Sequence, residues 1–195
     1  MIDPEESRLV RRLRARRAGA FEMLIARYQG QVLNLVYRML GNREEAEDLA
    51  QEVFITVFKR IETFRGESSL STWIYRIASN HCINRRKYLS RRRHYDSRSI
   101  HDIGDRSELG GGRLPVSTRP ARPDEMLEGL QMERAIQRAI SGLDEDQRLV
   151  LVLRDIQSLS YDEIAEITGL AIGTVKSRLH RARMALKEKL AAQLR

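Results

Sequence analysis

The stretch SYDEIAEITGLAIGTVKSRLHRAR at residues 160–183 admits few folds. Ser160 and Glu163 have the spacing of a capping box, in which each side chain satisfies an amide that the first helical turn leaves unpaired, so a helix is expected to start there. Ile164, Ala165 and Ile167 give that helix a short apolar face. Thr168 and Gly169 end it, because glycine tolerates the left-handed backbone of a C-cap. Val175, Leu179, Ala182 and Leu186 then recur at steps of three and four as a second helix. Two helices joined by so short a turn make a helix-turn-helix.

The outward face of the second helix carries Lys176, Ser177, His180, Arg181 and, near one edge, Arg183. These groups donate to major-groove base edges or to phosphates. From residue 171 to the end there are seven Lys or Arg against one Glu, whereas residues 124–170 hold four basic and eleven acidic residues. The C-terminal part is therefore electrically two-sided, as expected of a module with DNA on one face and a different partner or solvent on the other. The plainer account is a helical hairpin whose polar face only solubilises it.

A formal charge of +8 and a pI near 10.0 favour a polyanionic partner without naming it, since ribosomal and membrane-surface proteins share the bias. No stretch approaches the roughly 18 consecutive apolar residues of a membrane span, and the opening MIDPEESRLVRRLR lacks the apolar segment of a secretory signal. The expectation is a cytoplasmic protein with no membrane insertion. One cysteine, Cys82, excludes an internal disulfide and any cysteine-cluster metal site; a buried helical filler is its default role.

Earlier in the chain the same helical period recurs. Leu9, Val10 and Leu13 sit within a run containing Arg8, Arg11, Arg12, Arg14, Arg16 and Arg17, read as a first helix packed by its leucines with solvated arginines, the alternative being a DNA-touching arm. Phe21, Leu24, Ile25 and Tyr28 lead on to Val32, Leu35, Val36, Met39 and Leu40, and Gly41-Asn42 punctuates them. Asn42 with Glu45 is another capping-box spacing, ahead of a face formed by Ala46, Ala50, Val53, Val57 and Ile61. On the other side, Asp48, Gln51, Glu52 and Ile55 form a mixed acidic and apolar surface that suits a basic protein partner, or equally an ordinary solvated face. FRGESS reads as a loop.

A helix resumes over residues 70–87, with Leu70, Ile74, Ile77 and Ala78 inward and Trp73, Arg76, Asn80, Asn84 and Lys87 aligned outward. An aromatic, a cation and two amides in one line offer stacking, phosphate contact and base-edge hydrogen bonding, while Trp73 taken with this helix alone equally suits a half-buried anchor. Arg85, Arg86, Lys87, Arg91, Arg92 and Arg93 follow with no acid between them, which suits phosphate neutralisation.

From residue 96 to residue 123 glycines cluster at 110–112, three of the four prolines occur, and apolar periodicity vanishes, so a linker is expected. A second helical unit follows with Met132, Ile136, Ile140, Leu143, Val150, Leu151, Leu153 and Ile156. The fold class is thus all-α, in two small helical domains: 1–95, a linker at 96–123, and 124–195 with the helix-turn-helix. His81, His94, His101 and His180 have no metal-ligand spacing, and phosphate-loop glycine patterns are absent. A nuclease reading has carboxylates and a basic surface but no constellation that selects catalysis. No enzyme activity, metal or cofactor is expected.

DLAQEVFITVFKRI, FRGESSLSTWIYRIASNHCIN and LSYDEIAEITGLAIGTVKSRLHRAR, in that order and separation, resemble the extracytoplasmic-function group of bacterial sigma factors along the whole chain. The resemblance implies sigma domains 2 and 4, an RNA polymerase core partner through its beta-prime and beta subunits, and promoter DNA. Asp48, Gln51, Glu52 and Ile55 fall where the beta-prime clamp is engaged. Loop residues Arg65, Gly66, Glu67, Ser68 and Ser69, with Trp73, Arg76, Asn80, Asn84, Arg85, Arg86 and Lys87, fall where the minus-10 element is met and melted. Lys176, Ser177, His180, Arg181 and Arg183 fall at the minus-35 reader. It also implies a monomer when free, an anti-sigma partner, and a role in a stress response. Two departures stand out: Asp144 replaces a common proline, and His180 occupies an often aromatic position. The competing readings are a stand-alone helix-turn-helix regulator with an N-terminal effector or dimerisation domain, and a structural RNA-binding protein.

Overall fold

Glycines in the left-handed conformation and oxygen-bearing N-caps decide where the helices break. The computed structural model describes residues 4–99 and 123–193. Their order is α1 (Pro4–Arg14), α2 (Ala20–Leu40), α3 (Arg43–Arg60), a 3-10 turn (Ile61–Thr63), α4 (Leu70–Ser99), α5 (Pro123–Ser141), α6 (Glu145–Leu151), α7 (Tyr161–Thr168) and α8 (Ile172–Gln193). No strand occurs among the described residues.

Helix α2 stops because Gly41 adopts φ 79° and its N–H caps the Tyr37 carbonyl at 2.8 Å. Asn42 then opens α3 by accepting the Glu45 N–H at 3.0 Å. The expected reciprocal arm of that box does not pair them, because the Glu45 carboxylate receives Arg85 at 2.7 Å. At the helix-turn-helix the box is complete: Ser160 accepts the Glu163 N–H, and the Ser160 N–H donates back to the Glu163 carboxylate at 2.8 Å. Gly169 at φ 71° closes α7 three residues before α8 begins.

In the N-terminal domain α2, α3 and α4 pack around Leu24, Leu35, Met39, Leu49, Leu70 and Ile74, each at most 1% exposed. Each such side chain contributes about 1.5–3 kcal/mol on burial, so this cluster outweighs the weak intrinsic helicity of any one segment. Helix α1 packs on α2 and the 3-10 turn through Leu9, Val10 and Leu13. It also finishes α4: the buried Glu6 carboxylate accepts the Leu70 N–H, while Arg14 donates to the Phe64 carbonyl. Cys82 is buried, which pushes its thiol up to about 12 and leaves it an inert filler.

The C-terminal domain closes on Ile140, Leu151, Leu153, Ile164 and Leu179. Three features differ from expectation. Helix α4 continues to Ser99, beyond the expected boundary at 95, since no glycine or proline interrupts residues 70–99; residues 100–122 of the expected linker lie outside the described residues. Pro123 is the first residue of α5 rather than the last of the linker, a position where its missing N–H costs nothing. Helix α6 runs directly into a π-turn (Val152–Ile156), closed by the Gln157 N–H on the Val152 carbonyl at 3.0 Å.

Burial pushes the Glu163 carboxyl up, but hydrogen bonds from the Ser160 N–H and hydroxyl and from Thr72 outweigh it and hold the group below its ordinary 4.5. The stabilisation is therefore present above pH 4.5 and is lost as pH falls through the lower folded value. Urea melts of Glu163→Gln should be less stable than wild type at pH 7, with the gap narrowing on acidification. Ser160→Ala should cost about 1 kcal/mol at neutral pH.

Candidate nucleic-acid and polymerase interfaces

Helix α3 buries Ala46, Leu49, Ala50, Val53 and Val57 and so turns Asp48, Gln51, Glu52 and Ile55 outward. All four are exposed, and Ile55 retains 52% of its accessible surface. The face extends one turn further to Phe58, also exposed, whose ring meets Phe21 edge-on at 4.9 Å and lies under the Arg16 guanidinium at 4.3 Å. Sequence reasoning passed over Phe58, although its step of three from Ile55 places it on the same face.

Beneath that face α3 and α4 are clasped. Arg85, expected to hold phosphate, donates to Glu45 at 2.7 Å and Glu52 at 2.6 Å. Desolvation pulls its pKa down, but the Glu45 hydrogen bond and the two carboxylate charges outweigh that and raise it. Glu52 is thus shared between the exposed face and the helix crossing. His81 lies 3.9 Å from Glu52, but burial pushes its pKa below the ordinary value and favours the neutral imidazole, which joins the network through Thr56 at 3.1 Å.

The 65–69 loop and α4 form the second surface. Ser69 accepts the Thr72 N–H at 3.1 Å and acts as the N-cap, so its hydroxyl is already engaged in starting the helix. Arg65, Glu67 and the edge of Gly66 line the outer loop, and a cleft of about 340 Å³ separates it from Ser7, Arg11 and Arg14 of α1. Trp73 is half-buried, with its ring 5.4 Å from that of Phe64, leaving the outer part of the indole open beside Arg76, Asn80 and Asn84, which are exposed. Lys87 is exposed further along α4, whereas Arg86 is half-buried and faces inward with Arg85. The side chain of Arg93 lies outside the described residues.

On α8, Val175, Leu179 and Ala182 are buried and Lys176, Ser177, His180 and Arg181 are exposed, which is the division a recognition helix needs. The Lys176 ammonium lies 5.4 Å from the Tyr161 ring, a contact that positions it near the start of the helix. Arg183 differs from its neighbours: it makes a two-pronged pair with Asp155 at 3.0 and 2.6 Å, which raises its pKa, and so ties α8 to the π-turn. Among the described residues no group of His, Cys, Asp and Glu is arranged to hold a metal ion, and no helix is long and apolar enough to cross a membrane.

The Sigma-70 region 2 family model matches residues 24–93, and the Sigma-70 region 4 model matches residues 133–186. The chain is 34% identical over 195 residues to the RNA polymerase sigma-H factor of Pseudomonas aeruginosa, covering 100% of this chain and 98% of that protein. It is 35% identical over 189 residues to the ECF RNA polymerase sigma-E factor of Escherichia coli K12, covering 96% and 95%. The chain belongs to the extracytoplasmic-function sigma factors of the sigma-70 family. As a sigma factor it directs RNA polymerase to promoters, and its family are not enzymes. Its fold is similar to that of the sigma factor RpoE solved with the anti-sigma factor NepR from Bartonella quintana, with a TM-score of 0.67 and 25% identity over 88% of this chain and 96% of that one. It is also similar to CnrH solved with the cytosolic domain of CnrY, at TM-score 0.64 and 23% identity over 96% and 97%.

Asp48 is the clean probe of the α3 face of this sigma factor, because Glu52 also holds Arg85. Asp48→Lys should weaken association with core polymerase about tenfold, or about 1.4 kcal/mol, while an exposed substitution shifts stability by no more than about 0.5 kcal/mol. Biolayer interferometry against core, with a thermal melt alongside, checks both.

Proposed function

We propose that this sigma factor engages the polymerase beta-prime and beta subunits with Asp48, Gln51, Glu52, Ile55 and Phe58 leading, and reads promoters with two separate surfaces. The observation that carries the reading is the pair of exposed donor-bearing stripes on α4 and α8, in different domains, with the acidic and apolar α3 face on neither. One stripe suits duplex DNA. Lys176, Ser177, His180 and Arg181 project from the second helix of the helix-turn-helix, where side chains reach major-groove edges of a minus-35 element.

The α4 surface suits unpaired bases instead. The outer part of Trp73 supplies a stacking platform, Asn80 and Asn84 pair with base edges, and Arg76 and Lys87 neutralise phosphate, so strand separation at a minus-10 element is favoured by capture of what it exposes. Arg85 contributes there only by leaving Glu45 and Glu52, and Arg86 and Arg183 act mainly on the fold. The helices from α1 to the end of α4 at Ser99 then form the polymerase and minus-10 domain, and those from α5, starting at Pro123, the minus-35 domain. The protein is read as a cytoplasmic monomer when free. An anti-sigma protein restrains it, as supported by the similar fold of the RpoE solved with NepR.

Purified protein mixed with core polymerase and a promoter library should give discrete transcripts that core alone does not. Their absence, with core shown active on another sigma factor, would contradict the reading. Tight binding of a palindromic duplex by a stable dimer without polymerase would instead favour a stand-alone regulator.

A further inference from the structure

The segment from the π-turn to Ser160 is held in a conformation that costs free energy. The Gln157 N–H reaches back to the Val152 carbonyl at 3.0 Å, and Ser158 adopts a left-handed φ of 59°, rare for a residue other than glycine. Leu159 is fixed at both of its backbone groups: its N–H donates to the Leu153 carbonyl at 3.1 Å, and its own carbonyl accepts from Arg154 at 2.5 Å. Strained backbone persists only where its surroundings over-determine it, and π-turns and strain alike collect at functional sites.

The segment delivers two side chains towards α8. Arg154 lies 4.8 Å from the centroid of the Tyr161 ring, and the Lys176 ammonium lies 5.4 Å from the same ring. Asp155 takes Arg183 in two hydrogen bonds, at 3.0 and 2.6 Å. Lys176 and Arg183 are seven residues apart, so they share one edge of α8, two turns apart. Arg178, about 200° round the helix from Lys176, pairs with Asp146 of α6 at 2.9 Å and holds the opposite edge. At about 100° per residue, Ser177, His180 and Arg181 occupy the open arc between these edges, and the buried Val175, Leu179 and Ala182 the arc behind.

Small rotations of such a helix matter. A roll of about 30° carries a side-chain tip about 5–6 Å from the axis through about 3 Å, close to the roughly 3.4 Å between successive bases. We propose that the π-turn sets the base preference of the minus-35 reader: Asp155 through Arg183, and Arg154 through Tyr161 and Lys176, fix the roll of α8 and so decide which base pairs Ser177, His180 and Arg181 meet. Arg154, Asp155 and Tyr161 are then positioning residues, and Arg183 is withheld from phosphate. The proposal rests on the assignment of α8 to the upstream duplex. The Asp155–Arg183 pair is half in solvent, where ion pairs add little stability, while its two-pronged geometry fixes direction. Breaking it changes aim more than folding.

Holoenzymes with Asp155→Asn, Asp155→Glu, Tyr161→Leu and Tyr161→Phe, bound to a duplex library randomised across the upstream element and sequenced, test this, with a thermal melt of each protein alongside. Asp155→Glu and Tyr161→Phe, which keep the carboxylate and the ring, should select the wild-type motif. Asp155→Asn and Tyr161→Leu should lose at least about fivefold of the preference for that motif over unselected duplex, the least that one mismatched base pair costs. Unselected duplex should bind Tyr161→Leu as it binds wild type. It should bind Asp155→Asn more tightly, with a salt slope steeper by about 0.9, because Arg183 is then free to neutralise one more phosphate. An unchanged motif in both variants, or equal weakening of preferred and unselected duplex, would overturn the proposal. If wild type with active core selects no upstream motif, the minus-35 reading fails instead, and nuclear magnetic resonance of the free protein decides the tether. The Lys176 ε-protons should lie upfield of those of free lysine in wild type and return in Tyr161→Leu; unshifted protons in wild type would overturn it.

Discussion

A helix about 10–12 Å across presents only three or four distinguishable faces, and α4 is asked to use all of them. Leu70, Ile74, Ala78 and Cys82 fill the N-terminal core, Thr72, Tyr75 and Ser79 meet the C-terminal domain, Arg85 crosses to α3, and Trp73, Arg76, Asn80 and Asn84 remain outside. The rest of the architecture follows from keeping that helix straight and fixed in rotation, since one residue of slip turns it by about 100°. Several elements contribute: Ser69 and Glu6 cap its start, α1 props the preceding loop through Arg14, and the Glu45 and Glu52 carboxylates pin its middle through Arg85.

The same pinning links surfaces with different tasks. Glu52 belongs to the exposed α3 face and to the clasp on Arg85, so any partner that draws on its carboxylate changes the charge balance around α4. Tyr75, whose hydroxyl is pushed up to about 12 chiefly by burial, stays neutral, and its one proton lies between the side-chain oxygens of Gln31 and Gln157, each 3.1 Å away. Arg148 is pulled down to about 10, again chiefly by burial, yet remains a cation at neutral pH and sits where carbonyl oxygens converge. Buried polar groups of this kind specify one arrangement of helices more than they add stability.

The helices themselves were legible because apolar residues recur at three and four and because the breaks are chemically marked. Gly41, Asn42, Ser160 and Gly169 cap where their types and spacing say they should. The exposed residues of the α3 and α8 faces could also be read, since they are what remains after the apolar stripe is assigned. What the sequence did not disclose is which charges meet across distance. Arg85 stands in a run of cations yet pairs with acids 40 and 33 residues away, and Arg183 looks like its neighbours yet is claimed by Asp155, 28 residues earlier. Glu6 capping Leu70 and Arg148 reaching Met39 are likewise tertiary choices among many equivalent carboxylates and arginines. The π-turn after α6 leaves no mark in residue type, because its residues, Val152 to Ile156, include no glycine or proline and continue the helical sequence before them.

The proposed division of labour has α8 reading duplex and α4 holding unpaired bases. Permanganate reactivity of thymines near the start site, measured with upstream footprinting on one promoter, tests it most directly with Trp73→Ala, Asn80→Ala and Arg181→Ala holoenzymes. Trp73→Ala and Asn80→Ala are expected to keep the upstream footprint and lose thymine reactivity, and Arg181→Ala to lose the footprint itself. Full melting by both α4 variants, together with an Arg181→Ala protein that keeps its upstream contact but no longer melts DNA, would contradict the account.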